Sequence, residues 1–131
     1  MNGQCLGLAH VGVMTNDLEK SLAFYEKLGG VVRDRGVVTL PEGEKHLVLV
    51  DVHGVIVELI HGPRPMELSE GVVSHFALLV EDVDKAHDAL VAQGIDTFLT
   101  PVKNQGSIFG GAPNWFFTGP SGERIELMGR V

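Results

Sequence analysis

The chain has 131 residues, ten of them Lys or Arg and seventeen Asp or Glu, for a formal net charge of −7. That length is close to the mode for one domain and can bury a core, so residues 1–131 are expected to form a single domain. The acidic balance leaves no basic stripe to displace counterions from nucleic acid or an anionic membrane. The one cysteine, Cys5, excludes an intrachain disulfide, and the N-terminal residues lack the charged and apolar regions of a secretory signal, which points to a cytoplasmic protein. No apolar run approaches the roughly 20 residues that span a bilayer, and no low-complexity tract interrupts the chain.

Residues 8–14 alternate as a strand, with Ala9, Val11 and Val13 on one face and His10, Gly12 and Met14 on the other. Asn16 followed by Glu19 has the form of a capping box, and Leu18, Leu22, Tyr25 and Leu28 recur at helical spacing until Gly29-Gly30. The stretches 31–40, 46–52 and 55–61 are rich in β-branched residues and are separated by 41–45 and by a tight His53-Gly54 turn. They complete a βαβββ module over about 5–61. Segment 62–71, rich in proline and glycine and without a sustained period, reads as a linker. Beyond it, 72–80, 83–93, 96–100, 113–118 and 123–128 repeat the order strand, helix and three strands over about 72–130. The loop 101–112, with Gly106, Gly110 and Gly111, is long enough for a substrate-facing flap or a plain connection. The expected fold class is α+β: two tandem βαβββ modules forming a cupped mixed sheet with the helices on the outside.

The modules are a tandem duplication. Residues 10–20 lie without a gap over 75–85, matching His10 to His75, Asp17 to Asp82 and Lys20 to Lys85, and Gly29 falls on Gly94. Residues 54–60 then lie over 122–128, matching Glu58 to Glu126 once the offset has grown by three residues. Strand parity puts Glu58 with Ile56 and Ile60, and Glu126 with Arg124 and Met128. Both carboxylates oppose the face of Val57, Leu59, Ile125 and Leu127, which is assigned to the helices. If the sheet curls around the other face, His10, Glu58, His75 and Glu126 project into one cavity.

Taken singly, a strand Glu is ordinarily solvated on an open sheet face, and a strand His is ordinarily a satisfied boundary residue. Four such residues at duplicated positions support one another, and metal coordination offsets the cost of burying a carboxylate. Two imidazoles and two carboxylates suit one divalent ion per site (nickel, cobalt, zinc or manganese), leaving about two positions of an octahedral shell for substrate or water. His46, His53, His61 and His87 have no duplicated counterpart and read as structural or surface residues. Trp115, Phe116 and Phe117 read as core or pocket wall.

Nearly the whole chain resembles the vicinal oxygen chelate superfamily of glyoxalases, bleomycin resistance proteins and dioxygenases. The resemblance is carried by His10-Val11-Gly12-Val13, residues 16–29, Val57-Glu58-Leu59, Ser74-His75-Phe76-Ala77 and residues 119–127. It implies paired modules around a divalent metal held by His10, Glu58, His75 and Glu126, the ligand set of glyoxalase I. Extradiol dioxygenases and fosfomycin enzymes use two His and one Glu, bleomycin-binding members lack the set, and the methylmalonyl-CoA epimerase typically has Gln at the position of Glu58. Met14 and Gly62 stand where bacterial glutathione-using relatives tend to carry Arg and Asn, so the resemblance does not extend to glutathione as cosubstrate.

The function the resemblance implies is that of a lyase or isomerase of the glyoxalase I type, moving a proton α to a carbonyl through a metal-bound enediolate. Glu126 would be the base, Glu58 its counterpart on the opposite face, and His10 and His75 fixed ligands. An epimerase-like isomerase and a non-catalytic protein binding a small molecule such as an antibiotic are the alternatives. The expected partner is a small-molecule substrate. A homodimer is also expected, each site completed within one chain or between two, because an exchanged arrangement reuses the same contacts.

Overall fold

In the computed structural model the described residues are 3, 6–67, 71, 73–99 and 108–130. The first strand, β1 (Val11–Met14), leads into helix α1 (Leu18–Lys27), followed by β2 (Val31–Leu40), β3 (Gly43–Val52) and β4 (Val55–His61). Module one is thus βαβββ. Its mixed sheet has the order β1-β4-β3-β2, with β1 parallel to β4 and the other neighbours antiparallel. The His53-Gly54 turn between β3 and β4 has positive φ at both residues, 51° and 94°, as a two-residue hairpin turn of the favoured hand requires.

The core of this module follows from alternation. Val48, Val50 and Val52 of β3 and Val57 and Leu59 of β4 are at most 1% exposed. They share the face that α1 covers with the buried Leu22 and Tyr25. Each such side chain contributes about 1.5–3 kcal/mol by leaving water. A one-residue slip of β4 would drive Glu58 into that core, so the register is strongly specified. Gly30 permits the close return of the chain after α1: a Cβ there would lie 2.6 Å from the Tyr25 carbonyl oxygen and from Val50 Cγ1.

The helix start differs from the expected capping box. Asp17, not Asn16, is the N-cap, its carboxylate accepting from the Lys20 N–H at 3.0 Å. Asn16 is engaged elsewhere: its side-chain amide donates to the Met66 carbonyl at 2.7 Å and accepts from the Met66 N–H at 2.8 Å. Two hydrogen bonds to one backbone residue outcompete a single cap, while a carboxylate at the cap gains from the helix dipole. Asp82 caps the second helix in the same way, accepting from Asp84 and Lys85 N–H groups.

The second module runs β5 (Phe76–Leu79), α2 (Val83–Ala92), a short 3-10 helix (Ile108–Gly111), β6 (Asn114–Thr118) and β7 (Arg124–Met128). Its sheet has the order β5-β7-β6, again with the first strand parallel to the last. The α+β class and the mixed strand directions expected from the sequence are both present, with four strands hydrogen-bonded in the first module and three in the second among the described residues. The strand expected at 96–100 is reduced, among the described residues, to a bridge between Phe98 and Phe117, flanked by Leu99 N–H to Phe116 and Thr118 N–H to Thr97 bonds. The Thr97 hydroxyl also donates to the Thr118 carbonyl at 2.6 Å.

Most of the expected flap, 101–107, lies outside the described residues, as do 68–70 of the expected linker. The chain divides into two units, Met1–Met66 and Glu67–Val131. Among the described residues no helix is long and apolar enough to cross a membrane.

Candidate metal-binding pairs

Each module brings one histidine to one glutamate. In the first, His10 immediately precedes β1, and Gly12, two residues on, pairs with Glu58 of β4. His10 Nε2 lies 3.7 Å from Glu58 Oε1. In the second, His75 immediately precedes β5, and Ala77 pairs with Glu126 of β7. His75 Nε2 lies 3.3 Å from Glu126 Oε1. The duplicated sequence positions thus have the same strand register. The sequence placed both histidines within strands, whereas each stands one residue ahead of its strand, where the ladder does not constrain the ring.

Both glutamates owe their direction to apolar neighbours. Val57 and Leu59 are 0% exposed, and Ile125 and Leu127 at most 2%, so the intervening Glu58 and Glu126 must face the other way. Leu49 of β3 pairs with Glu58, and Phe116 of β6 pairs with Glu126. An open concavity of about 130 Å³ adjoins Glu58, lined also by Asp34, Arg35, Gly36, Leu47 and Leu49.

The surroundings of the two carboxylates differ. Glu126 is 8% exposed, and its Oε2 accepts from Asn114 Nδ2 at 3.0 Å. Asn114 Oδ1 is buried and has no hydrogen-bond partner among the described residues. The His75 ring stands edge-on to Phe116, centroids 5.0 Å apart, and its Nδ1 is 2.9 Å from Ser74 Oγ. That hydroxyl holds one ring nitrogen and leaves Nε2 toward the carboxylate, the division of labour usual in a ligating imidazole.

The donor chemistry fits a divalent ion. Two ligands at ~2.1 Å from one ion lie roughly 3.0–3.4 Å apart at octahedral or tetrahedral angles. The 3.3 Å pair matches that spacing, and the 3.7 Å pair is a few tenths of an ångström wider. Within each unit the members of the expected set lie together, His10 with Glu58 in the first and His75 with Glu126 in the second.

The other histidines have separate roles. His53 forms the hairpin turn, with its ring against Gly29. His46 pairs across the strands with His61 and lies 3.4 Å from Glu44. His87 stacks on Trp115 at 4.1 Å, with Phe98 and Phe117 continuing the cluster, while Trp115 Nε1 donates to Asp84 at 3.2 Å. Of the aromatic run, Phe117 is core, Trp115 meets the second helix, and Phe116 shares the face of Glu126. Sequence reasoning missed Asn114. The signal that marks it is a polar residue where the duplicated position in module one, opposite Ile60, holds Leu47.

Comparison with known proteins places these pairs in context. Residues 7–127 match the model of the Glyoxalase/Bleomycin resistance protein/Dioxygenase superfamily. The chain is 32% identical over 128 residues to the uncharacterized protein YwbC of Bacillus subtilis (strain 168), covering 92% of this chain and 95% of that protein. Among solved structures it is similar to a glyoxalase family protein from Enterococcus faecalis, with TM-score 0.76 and 23% identity, covering 94% and 97% of the two chains. It is also similar to a mutant of the fosfomycin resistance protein FosX from Listeria monocytogenes complexed with Mn(II) and 1S,2S-dihydroxypropylphosphonic acid, with TM-score 0.73 and 17% identity, covering 98% and 95%. At these identities the structural likeness concerns the fold.

Proposed function

The chain belongs to the Glyoxalase/Bleomycin resistance protein/Dioxygenase superfamily, and from that premise we propose that it is a divalent-metal-dependent lyase or isomerase of the glyoxalase I type. The observation that carries this reading is the duplicated pairing: a histidine ahead of the first strand of each module and a glutamate on its last strand, 3.7 and 3.3 Å apart. His10, Glu58, His75 and Glu126 would hold one ion between them, supplied by one chain or by two chains of a homodimer. The Mn(II) complex of FosX supports a divalent ion in this fold.

When bound, the ion supplies Lewis-acid polarisation of two adjacent substrate oxygens, which acidifies the neighbouring C–H. The protein residues do the rest. His10 and His75 act as fixed ligands, with His75 oriented by Ser74. Glu126 accepts the proton from the carbon, and Glu58 is its counterpart for the other face. Phe116, on the Glu126 face, and Leu47 and Leu49, beside Glu58, offer apolar surface to the carbon skeleton of the substrate.

The test is a screen of hemithioacetals and acyl-CoA thioesters with protein reconstituted with Ni(II), Co(II), Zn(II) or Mn(II), followed by solvent deuterium incorporation at the α-carbon. Exchange with a hemithioacetal, ending in an α-hydroxythioester, supports the glyoxalase-type reaction. Exchange confined to acyl-CoA thioesters transfers the assignment to an epimerase, and no exchange with any metal overturns both. A second reading is sequestration of a small molecule without chemistry. It is favoured by the open concavity beside Glu58, whose walls combine the apolar Leu47 and Leu49 with the charged Asp34 and Arg35. In that case protein purified without chelator or nickel resin carries no stoichiometric metal and binds its ligand unchanged in EDTA.

A further inference from the structure

We infer that Asn114 is a positioning residue for Glu126, fixing which carboxylate oxygen is offered to a cation; the inference rests on the metal-dependent reading above. Asn114 Nδ2 donates to Glu126 Oε2 at 3.0 Å, whereas Oε1 is the oxygen 3.3 Å from His75 Nε2. The amide therefore occupies one oxygen and leaves the other beside the imidazole. Its orientation is set by chemistry, because the alternative amide rotamer would turn Oδ1 onto a carboxylate oxygen. That orientation strands Oδ1, which is buried without a partner.

An apolar residue would avoid this burden, and module one shows the alternative. Asn114 lies opposite Met128, two residues beyond Glu126, as Leu47 lies opposite Ile60, two residues beyond Glu58. The leucine has no donor for Glu58, whose one ion-pair contact among the described residues is His10 at 3.7 Å. A buried amide with an unmet acceptor is expensive in a fold that accepts leucine at the equivalent position, and such departures from packing logic concentrate at functional sites. The two carboxylates are consequently unequal: Glu126 is pre-oriented, and Glu58 is held by its strand alone.

The test uses the full chain and the variants Asn114→Leu and Leu47→Asn, with binding of Ni(II), Mn(II) and Zn(II) measured by calorimetry and the thermal midpoint measured in EDTA. Asn114→Leu is expected to weaken binding of the tightest cation about 10- to 100-fold, as loss of a hydrogen bond to a ligand does. Its midpoint in EDTA should stay close to that of the wild type, because the bond lost to Glu126 Oε2 and the removal of the stranded Oδ1 offset one another; a merely structural residue does not combine a near-unchanged midpoint with a loss of affinity. Leu47→Asn, which supplies an amide to Glu58, provides the reciprocal measurement and is expected to bind as tightly as wild type or more tightly. Unchanged affinity in a folded Asn114→Leu protein overturns the inference alone. If that variant is unfolded in EDTA, the residue is a packing residue and the inference also fails. Absence of cation binding by the wild type overturns both the inference and the metal-dependent reading.

Discussion

Replacing His75 by alanine separates the contribution of the residue to the fold from its contribution to the metal site. Without metal, the side chain makes an edge contact with Phe116 at 5.0 Å, a Ser74 hydroxyl contact at 2.9 Å and a 3.3 Å approach to Glu126 Oε1, on a partly exposed ring. Together these are worth about 1 kcal/mol. For a 131-residue chain unfolding with roughly 2.1 cal/mol/K per residue, that lowers the midpoint by about 4 °C. An ion at 100 times its dissociation constant stabilises the wild type by about 2.7 kcal/mol, or about 10 °C. His75→Ala is therefore expected to show a small loss in EDTA and little of the metal-induced increment. Scanning calorimetry with and without Ni(II) or Mn(II) measures both terms, and elemental analysis after purification without nickel resin checks occupancy. A metal-induced increment or metal content equal to that of the wild type would refute the assignment of His75 as a ligand.

Three further outcomes follow from the same geometry. Glu126→Gln keeps a group that coordinates weakly and an oxygen for Asn114, so it should retain part of its metal binding. Its α-proton exchange in deuterated solvent should fall about 100-fold or more, and full exchange would move the base role to Glu58 or to solvent. Mixing His10→Ala/Glu58→Ala chains with His75→Ala/Glu126→Ala chains restores partial activity if sites are shared across a homodimer; confirmed heterodimers without recovery reject the shared site. Asp51 accepts the Gly54 N–H at 2.7 Å, a bond that outweighs partial burial and, with Arg33 and then His53, holds the carboxyl below its ordinary value of 3.8. Its contribution to stability is therefore present above 3.8 and is lost as the pH falls through the lowered folded-state value. Asp51→Asn should unfold at lower urea than wild type at neutral pH, with the gap closing in acid; an equal gap at both pH values would contradict the assignment.

Features that depend on local period and on repetition were legible in the residues alone. Alternation in 55–60 and 124–128 placed Val57, Leu59, Ile125 and Leu127 on the helix-covered face and Glu58 and Glu126 on the other, because a strand has a period of two and a slip would turn a carboxylate into the apolar core. Duplication paired His10 with Glu58 and His75 with Glu126, and β1–β4 and β5–β7 have the register that pairing requires. Competition between partners was resolved by long-range contacts in the folded chain. Asn16 and Asp17 are both good caps, and the choice fell to Asp17 because the Met66 backbone, fifty positions away in sequence, takes both ends of the Asn16 amide. The strand expected at 96–100 shrank to a bridge, since ladder length depends on what the partner strand offers as well as on propensity. Asn114 read locally as one polar residue at the start of a strand. Its bond to Glu126 comes from the antiparallel pairing of β6 with β7, a long-range register that composition and period do not encode.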